Sequence, residues 1–258
     1  MILVKDYMTP SPVCVKTDDL LSKARSIIRK HGYRALPVLD SKSGMLVGII
    51  SRSDILRVTS NRTNLQVSGL MKANVITASP DDNLLNVSKV FVKYGIRQVP
   101  VVDSSKKLTG ILSALDILNA FIGNKITPVR KKVREVMSTE VVSCSPDENL
   151  TKVWEKMLST GYSGLPVLDG KKVVGIITRM DLLKHGSAMP NKESGKDKHV
   201  PVRKLMQSHV VTVYPSEETQ KVAEIMTKEK IIRVPVVETG MKLAGIADIE
   251  DILRAYTS

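Results

Sequence analysis

Apolar residues along the chain follow two kinds of spacing. Leu84, Val87, Val90 and Phe91 recur at helical spacing, which predicts a helix with one buried face. Short continuous apolar stretches, such as residues 47–50, are flanked by turn-forming residues and predict buried strands. In chain order the pattern predicts a unit of β-α-β-β-α type, in which a short strand, a long helix and two strands precede a short closing helix.

This unit occurs four times. Each copy begins with the pattern V-x-x-x-M, 29 residues lead from the methionine to a proline in an apolar strand, and a glycine follows nine to eleven residues later. An aspartate stands six residues beyond each glycine. The anchors are Met8, Pro37, Gly48 and Asp54; Met71, Pro100, Gly110 and Asp116; Met137, Pro166, Gly175 and Asp181; and Met206, Pro235, Gly245 and Asp251. Four anchor types at near-constant spacing establish an internal repeat.

Residues with known terminal preferences mark the ends of the long helix. Residues 79–82 (SPDD) and 145–148 (SPDE) predict helix starts with an N-cap and with Pro at the first helical position. The C-terminal end needs a residue in the left-handed region, and the copies carry Gly32, Gly95, Gly161 and Lys230 there. The first strand of the unit is predicted at stretches such as residues 75–77 and 210–213, and the closing helix at stretches such as residues 54–58.

A unit of about 55 residues with two short helices buries too little apolar surface to be stable alone. The copies are therefore expected to pair, which gives an α/β (α+β) fold of four β-α-β-β-α units. We predict domains at residues 1–60, 64–122, 131–185 and 200–258. The linker near residues 185–199 is polar and basic.

Composition narrows the class of protein. A hydrophobic fraction of 42% and a charged fraction of 25% are typical of a soluble globular protein. No apolar run approaches a membrane span and the amino terminus lacks a secretory signal pattern, so a cytoplasmic location is expected. Cys14 and Cys144 lack metal-ligand or redox spacing and are interpreted as small apolar strand residues. The net charge of +13 favours polyanionic partners.

The repeat resembles the CBS domain. The resemblance rests on the initial V-x-x-x-M, the L-P-V-V-D type strand and the final G-h-h-[ST]-x-x-D-h-h pattern, where h is apolar, and it covers almost the whole chain outside the linkers. It implies pairing through the sheets into two Bateman modules, residues 1–122 and 131–258, similar to stand-alone archaeal CBS proteins and the gamma subunit of AMP-activated protein kinase. It also implies regulatory binding of AMP, ADP, ATP or S-adenosylmethionine between paired domains, with no chemistry or catalytic cofactor of its own.

The last motif of each unit is the candidate nucleotide site. It runs from a strand into a helix start, where free N–H groups favour phosphate and a hydroxyl can donate to a phosphate oxygen. The resemblance implies that the acid three residues on accepts from both ribose hydroxyls. The candidates are Ser51, Ser53 and Asp54, Ser113 and Asp116, and Thr178 and Asp181. A hydroxyl followed three residues later by an acid is also a capping box, which needs no ligand.

The fourth copy departs from this pattern. Asp248 stands where the hydroxyl belongs, and its charge would tend to repel a phosphate in that position. Asp251 can still hold a ribose. The fourth site is therefore predicted to be the weakest or to be empty.

Two further sets of residues are candidates. Thr77, Ser143 and Thr212 stand six residues after the methionine, as does Cys14 in the first copy, in a strand that borders the base and sugar in the family; surface-facing hydroxyls are the alternative. Arg34, Arg97 and Arg233 come just before the anchor proline, whereas the third copy has Ser163-Gly164 there. Arginine suits multidentate phosphate recognition, so we expect these three near the centre of the assembly. Arg52 and Arg179, inside the hydroxyl–acid motif, are additional candidates.

An enzyme is not expected, because no phosphate loop, catalytic motif or paired C-x-x-C occurs and the four histidines share no aligned position. A sensor of this kind must act on a separate effector protein. Two alternatives stay open. The charge suggests nucleic-acid binding, although basic residues are spread along the chain and aromatics are only 3%; the other alternative is a ligand-free interaction scaffold. Whether the two modules close on each other within one chain or two chains form a homodimer also stays open.

Overall fold

Four similar α/β units follow one another in the computed structural model, which describes residues 1–58, 64–185 and 200–257. The helices are α1 Leu21–His31, α2 Arg52–Leu56, α3 Leu84–Tyr94, α4 Ala114–Gly123, α5 Leu150–Thr160, α6 Arg179–His185, α7 Thr219–Glu229 and α8 Ile249–Thr257. The strands are β1 Thr9–Pro10, β2 Val15–Lys16, β3 Ala35–Leu39, β4 Leu46–Ser51, β5 Gln98–Val102, β6 Leu108–Ser113, β7 Gly164–Asp169, β8 Lys172–Thr178, β9 Arg233–Glu238 and β10 Lys242–Asp248.

The two central strands of each unit form antiparallel hairpins, and the predicted long and closing helices flank them. Sheet order is β2-β3-β4 in copy 1, β1-β6-β5 across copies 1 and 2, with β1 from copy 1, and β7-β8-β10-β9 across copies 3 and 4. The predicted mixed α/β class is thus confirmed. The gap between the first two predicted domains, residues 60–64, and the predicted linker near residues 185–199 lie almost entirely outside the described residues. The predicted domain bounds therefore stay a prediction. None of the helices that the structure describes is long and apolar enough to cross a membrane.

The predicted first strand is wrong for three of the four copies. Only copy 1 forms a strand there, β2 parallel to β3. In copies 2, 3 and 4 a single parallel bridge takes its place, made by Ala78, Cys144 and Val213 respectively. The predicted stretch 75–77 contains none of these bridging residues, because the chain touches the hairpin at Ala78 alone and otherwise runs across the neighbouring copy.

The predicted helix starts at 79–82 and 145–148 are also wrong. Helix α3 begins at Leu84, and its N-cap is Asn83, whose side chain accepts from the Leu85 N–H at 2.9 Å. The SPDD segment is a turn before the helix, and its Pro80 carbonyl accepts from the Lys5 N–H at 2.9 Å. The Pro80 carbonyl therefore accepts a hydrogen bond from copy 1, and Pro80 is not part of the helix of its own copy.

The predicted helix ends are confirmed. Gly32, Gly95 and Gly161 adopt φ values of 72°, 60° and 76° directly after α1, α3 and α5. Lys230 follows α7 with φ 54° and ψ 35°, so a residue with a side chain takes the left-handed position in the fourth copy.

Each copy gives its initial turn to a partner copy. The N–H of Val4, in copy 1, donates to the Asp82 carbonyl at 3.0 Å, and the first N–H of α3, on Leu84, donates to the Ile2 carbonyl at 2.9 Å. Copy 2 returns the same contacts, since the Leu21 N–H donates to the Leu65 carbonyl at 2.8 Å. Copies 3 and 4 exchange their turns in the same way, through Val133 N to Glu217 O, Thr219 N to Lys131 O, Val202 N to Glu148 O and Leu150 N to Val200 O. Pairing is therefore 1 with 2 and 3 with 4.

The methionine and glycine anchors of the repeat are contact partners across each pair. A Cβ built on Gly48 would lie 2.8 Å from Met71 Sδ, and one built on Gly245 would lie 3.0 Å from Met137 Sδ. Gly110 faces Met8, and Gly175 faces Met206, in the same way. The side chain of one copy thus needs a residue without a side chain on the sheet of the other, which explains why the two anchors recur together.

The two modules pack against each other through their helices. One buried apolar cluster joins copies 2 and 4, where α3 and α4 contact α7 and α8 and the rings of Phe121 and Tyr256 lie 5.2 Å apart. A second cluster joins copies 1 and 3, where α1 and α2 contact α6. Sheet pairing and helix packing together arrange the four copies around a common centre.

The close approach between anchors predicts a stability effect. Gly48→Ala is expected to destabilise the fold by about 1–3 kcal/mol through overpacking, because the new Cβ would lie 2.9 Å from the Lys72 carbonyl oxygen as well as against Met71. Urea unfolding measures the loss. Gly123→Ala is the matched control, since no atom outside its own helix lies within 4 Å of a Cβ there. Equal unfolding midpoints for the two variants would contradict the contact.

Candidate functional site

A cavity of about 420 Å³ lies at the hydroxyl–acid motif of copy 1. Copy 1 supplies the junction between β4 and α2, and copy 2 supplies the segment that follows its exchanged turn. The lining residues include Arg34, Ile49, Ser51, Arg52, Ser53 and Asp54 of copy 1, residues 72–76 and 95–98 of copy 2, and Ser163 and Arg179 of copy 3. We call this cavity the first cleft. It brings together predicted site residues that are far apart in sequence.

The hydroxyl–acid motifs of the first three copies form capping boxes. Asp54 Oδ2 accepts from the Ser51 N–H at 2.9 Å and from Ser51 Oγ at 2.6 Å. Ser113 and Asp116 repeat this geometry at 2.8 and 2.7 Å, and Thr178 and Asp181 at 2.8 and 2.6 Å. The capping interpretation therefore holds, and it occupies one carboxylate oxygen of each aspartate.

The other carboxylate oxygen of the motif aspartate, Oδ1, has different partners in the four copies. Asp181 Oδ1 accepts from Gln207 Nε2 at 3.1 Å, and Asp251 Oδ1 lies 3.1 Å from an Arg254 nitrogen. Among the described residues, none hydrogen bonds to Oδ1 of Asp54 or of Asp116. Copies 1 and 2 thus retain a carboxylate oxygen that can accept from a ligand.

Burial shifts the pKa of two carboxyl groups at the hydroxyl–acid motifs. It raises the pKa of the Asp116 carboxyl above its usual value, although the hydrogen bonds from Ser113 act in the opposite direction. It also raises the pKa of Asp251, where the bond from the Asp248 N–H acts against it. These carboxyls lie in places from which much of the surrounding water is excluded.

Arginines from several copies converge on the centre of the assembly. Burial, together with the neighbouring charges of Arg52 and Arg97, lowers the pKa of Arg34 to about 10. The Arg34 guanidinium makes no hydrogen bond or ion pair with any residue that the structure describes. By contrast, Arg52 donates from Nε to the Tyr33 carbonyl at 2.7 Å and from Nη2 to the Gly32 carbonyl. Arg34 is therefore a partly buried cation whose charge is available to an anion.

Arg179 reaches the first cleft from copy 3. Its Nη1 donates to Ser53 Oγ, and its Nη2 donates to the Met157 carbonyl at 2.6 Å. Burial, followed by repulsion from Arg97 and Arg233, lowers its pKa to about 10. The sequence placed Arg179 in the motif of its own copy and contained no signal for this contact, which depends on the packing of α6 against α2.

Arg97 and Arg233 are held by acids of copy 4. Arg233 Nη2 lies 2.5 Å from Asp248 Oδ2, and Arg97 Nη2 lies 3.3 Å from it. Arg97 Nε also lies 2.9 Å from Glu250 Oε1. The fourth cleft, at this cluster, has a cavity of about 150 Å³. Two of the three arginines predicted to hold phosphate therefore already have carboxylate partners.

A second cavity of about 420 Å³ lies at the centre and shares part of its wall with the first cleft. Its lining includes Ser113 and Thr178 from the motifs of copies 2 and 3. The five cations among its lining residues are Arg34, Arg52, Arg97, Lys230 and Arg233, and no acid is among them. The lining of this cavity is thus basic, although Arg97 and Arg233 are paired with acids that lie outside it.

The hydroxyls predicted six residues after each methionine are not part of these cavities. Thr77 is exposed and Ser143 and Thr212 are half-buried. None of the three is among the lining residues of the cavities described above. Instead, residues 75 and 76 line the first cleft, and residues 141 and 142 line the fourth. The stretch therefore borders these clefts, and it does so with the apolar side chains beside the predicted hydroxyls.

Known proteins resemble the chain over nearly its whole length. The family model described as CBS domain matches residues 4–61, 67–123, 133–188 and 202–258. Protein MJ1225 from Methanocaldococcus jannaschii is 26% identical over 267 residues, which is 95% of each chain. Protein MJ1404 from the same organism is 30% identical over 262 residues, which is 97% of this chain and 61% of that protein.

Solved structures show the same fold. The crystal structure of MJ1225, described as a proposed archaeal homolog of the γ subunit of AMP-activated protein kinase, superposes with a TM-score of 0.87 at 24% identity and covers 98% of this chain and 99% of that one. An uncharacterized conserved protein from Pyrococcus horikoshii superposes with a TM-score of 0.70 at 26% identity, with coverage of 98% and 99%. The arrangement of four units in one chain is therefore shared.

Arg233 has a carboxylate partner, whereas Arg34 has none among the described residues. Replacing these two arginines is therefore expected to change stability in opposite directions. Arg34→Met is expected to raise the melting temperature at pH 7.5 by about 2–4 °C, or about 1 kcal/mol, because it removes a buried cation without a counter-charge. Arg233→Met is expected to lower it, because Asp248 loses its nearest partner. Scanning calorimetry measures both, and a loss of stability in Arg34→Met would contradict the assignment.

The same prediction has a pH dependence. The folded pKa of Arg34, about 10, lies below that of an unfolded arginine, so its charge opposes folding fully below pH about 10. The penalty shrinks as the pH rises above that value. The gain of Arg34→Met over the wild type should therefore be constant near neutrality and decrease in strongly alkaline solution.

Proposed function

The chain belongs to the CBS domain family, and we propose that it is a non-enzymatic regulatory sensor that binds an adenine nucleotide in the first cleft. The observation that carries the proposal is the composition of that cleft. It combines an open carboxylate oxygen on Asp54, an apolar wall and the partnerless guanidinium of Arg34 in one cavity of about 420 Å³. A nucleoside phosphate needs the same three elements in one site.

Each part of the ligand has a counterpart in the cleft. Asp54 Oδ1 accepts from the ribose hydroxyls, while Oδ2 keeps the helix capped. Ile49 of copy 1 and residues 75 and 76 of copy 2 offer apolar surface to the base. Arg34 and Arg179 supply positive charge for the phosphates. AMP, ADP and ATP share these elements, and S-adenosylmethionine shares the base and ribose.

The remaining clefts are expected to bind more weakly or not at all. Asp116 keeps an open oxygen, so the second copy is the next candidate, with Ser113 at its hydroxyl position. In the third copy Gln207 must first leave Asp181. In the fourth copy both Asp248 and Asp251 have arginine partners. A ligand role for Thr77, Ser143 and Thr212 stays a prediction.

A ligand in the first cleft would act on the packing of the two modules. Ser53, in the cleft, accepts from Arg179 of copy 3, so a phosphate that recruits Arg179 changes a contact between copies 1 and 3. Such a ligand shifts the arrangement of the modules only if it binds the two arrangements with different affinity. A separate effector protein would then recognise the favoured arrangement.

Calorimetric titration of nucleotide-stripped protein tests the proposal. We expect AMP, ADP or ATP to bind, and Asp54→Asn to weaken that binding about ten- to a hundredfold, since hydrogen bonds to a charged group contribute about 1.5–3 kcal/mol each. Asp251→Asn is the matched control, because its carboxylate already has an arginine partner, and its affinity should equal that of the wild type.

Other results would identify other functions. Heat with S-adenosylmethionine alone, lost in Asp54→Asn, would keep the cleft and change the ligand. No heat with any nucleotide would contradict the proposal and leave the motifs as helix caps. Binding of RNA or DNA that falls steeply with salt would then support the nucleic-acid alternative.

A further inference from the structure

Each copy contains a hairpin of two antiparallel strands. The residue that ends the second hairpin strand lies opposite a residue of the first hairpin strand in every copy. The opposite pairs are Ala35 and Ser51, Gln98 and Ser113, Gly164 and Thr178, and Arg233 and Asp248. Three copies therefore place a hydroxyl opposite an uncharged residue. The fourth copy differs at both positions, and its two residues carry opposite charges. A directly opposite pair is in contact across the strands, so the two differences form one feature.

Two guanidinium groups from different copies converge on the Asp248 carboxylate. Its Oδ2 accepts from Arg233 Nε at 3.0 Å and Nη2 at 2.5 Å, and Arg97 Nη2 of copy 2 lies 3.3 Å from both carboxylate oxygens. Arg233 is 8% exposed and lies over the ring of Tyr162 at 5.2 Å. Several charge-assisted bonds from arginines to one anion are an arrangement by which proteins hold phosphate groups.

We propose that Asp248 is a built-in substitute for a ligand phosphate, and that it closes the fourth cleft by occupying the place where an anion would bind. The inference rests on the proposed function, because it takes the hydroxyl position to lie at the phosphate of a bound nucleotide in the other copies. It goes further in assigning Arg97 and Arg233 to a latent phosphate site. That site is filled by the chain itself, and the small volume of the fourth cleft, about 150 Å³, agrees with this.

If the proposal is correct, the variant Asp248→Ser binds an anion more tightly than the wild type does. The variant restores the hydroxyl of the other copies and leaves Arg233 and Arg97 without the Asp248 carboxylate. Without added anion it should melt below the wild type, because a buried cation has lost its partner. Inorganic pyrophosphate should then raise its melting temperature more than that of the wild type, and its apparent Kd for pyrophosphate should be about tenfold lower.

The double variant Asp248→Ser with Arg233→Met is the control. It removes the carboxylate and its main partner together, so the additional stabilisation by pyrophosphate should disappear. Asp248→Asn preserves the volume of the side chain without its charge and should show the same direction of change if Asp248→Ser fails to fold. Equal pyrophosphate affinity in the wild type and in the single variants would overturn the proposal and leave the cluster as a structural ion pair.

These results are independent of the nucleotide experiment. Pyrophosphate contacts no ribose acceptor, so loss of nucleotide binding in Asp54→Asn tests the first cleft, and gain of pyrophosphate binding in Asp248→Ser tests the fourth. If the wild type bound no nucleotide but Asp248→Ser gained pyrophosphate affinity, the proposed function would fail and the latent phosphate site would stand.

Discussion

The exchange of initial turns between paired copies is the interaction on which the rest of the structure depends. The first N–H of each long helix finds its acceptor on the partner copy, as Leu84 does on Ile2, so no unit completes its own hydrogen bonding. The segment that follows the exchanged turn must then cross the sheet of the partner, where Met71 packs on Gly48. This crossing places residues 75 and 76 of copy 2 beside Asp54 of copy 1. The first cleft is therefore a consequence of how the units pair.

Packing of the two modules adds a second constraint, because it concentrates like charges. Arg34, Arg97 and Arg233 meet at the centre, and burial, together with repulsion from Arg52, Arg97 and Arg233, lowers the pKa of Arg34 to about 10. Asp248 and Glu250 offset the charges of Arg97 and Arg233, but no described acid approaches Arg34 in the same way. A protein selected only for stability would neutralise or replace this arginine. Its presence fits a site in which an external anion completes the charge balance.

The features that the sequence could predict are those decided within one copy or by the repeat as a whole. Left-handed ends at Gly32 and Lys230 follow from local backbone geometry, and pairing follows from the small size of the unit. The failures have non-local causes. The sequence predicts a helix start at Pro80, yet the Pro80 carbonyl accepts a hydrogen bond from the Lys5 N–H of another copy. The contact of Arg179 with Ser53 depends on which helices pack together, and no spacing along the chain contains that information.

The repeat motif itself does not decide which copies can bind a ligand. In the first three copies the hydroxyl and the acid form the same capping box, so the shared pattern is explained by the fold alone. What differs between copies is the set of partners that the motif acids meet: Gln207 on Asp181, Arg254 on Asp251, and Arg233 on Asp248, which replaces the hydroxyl in copy 4. Each of these partners occupies an oxygen or a charge that a nucleotide would need. The proposed differences in ligand binding therefore lie where the copies diverge, and the repeated anchors provide the frame that brings the divergent residues together.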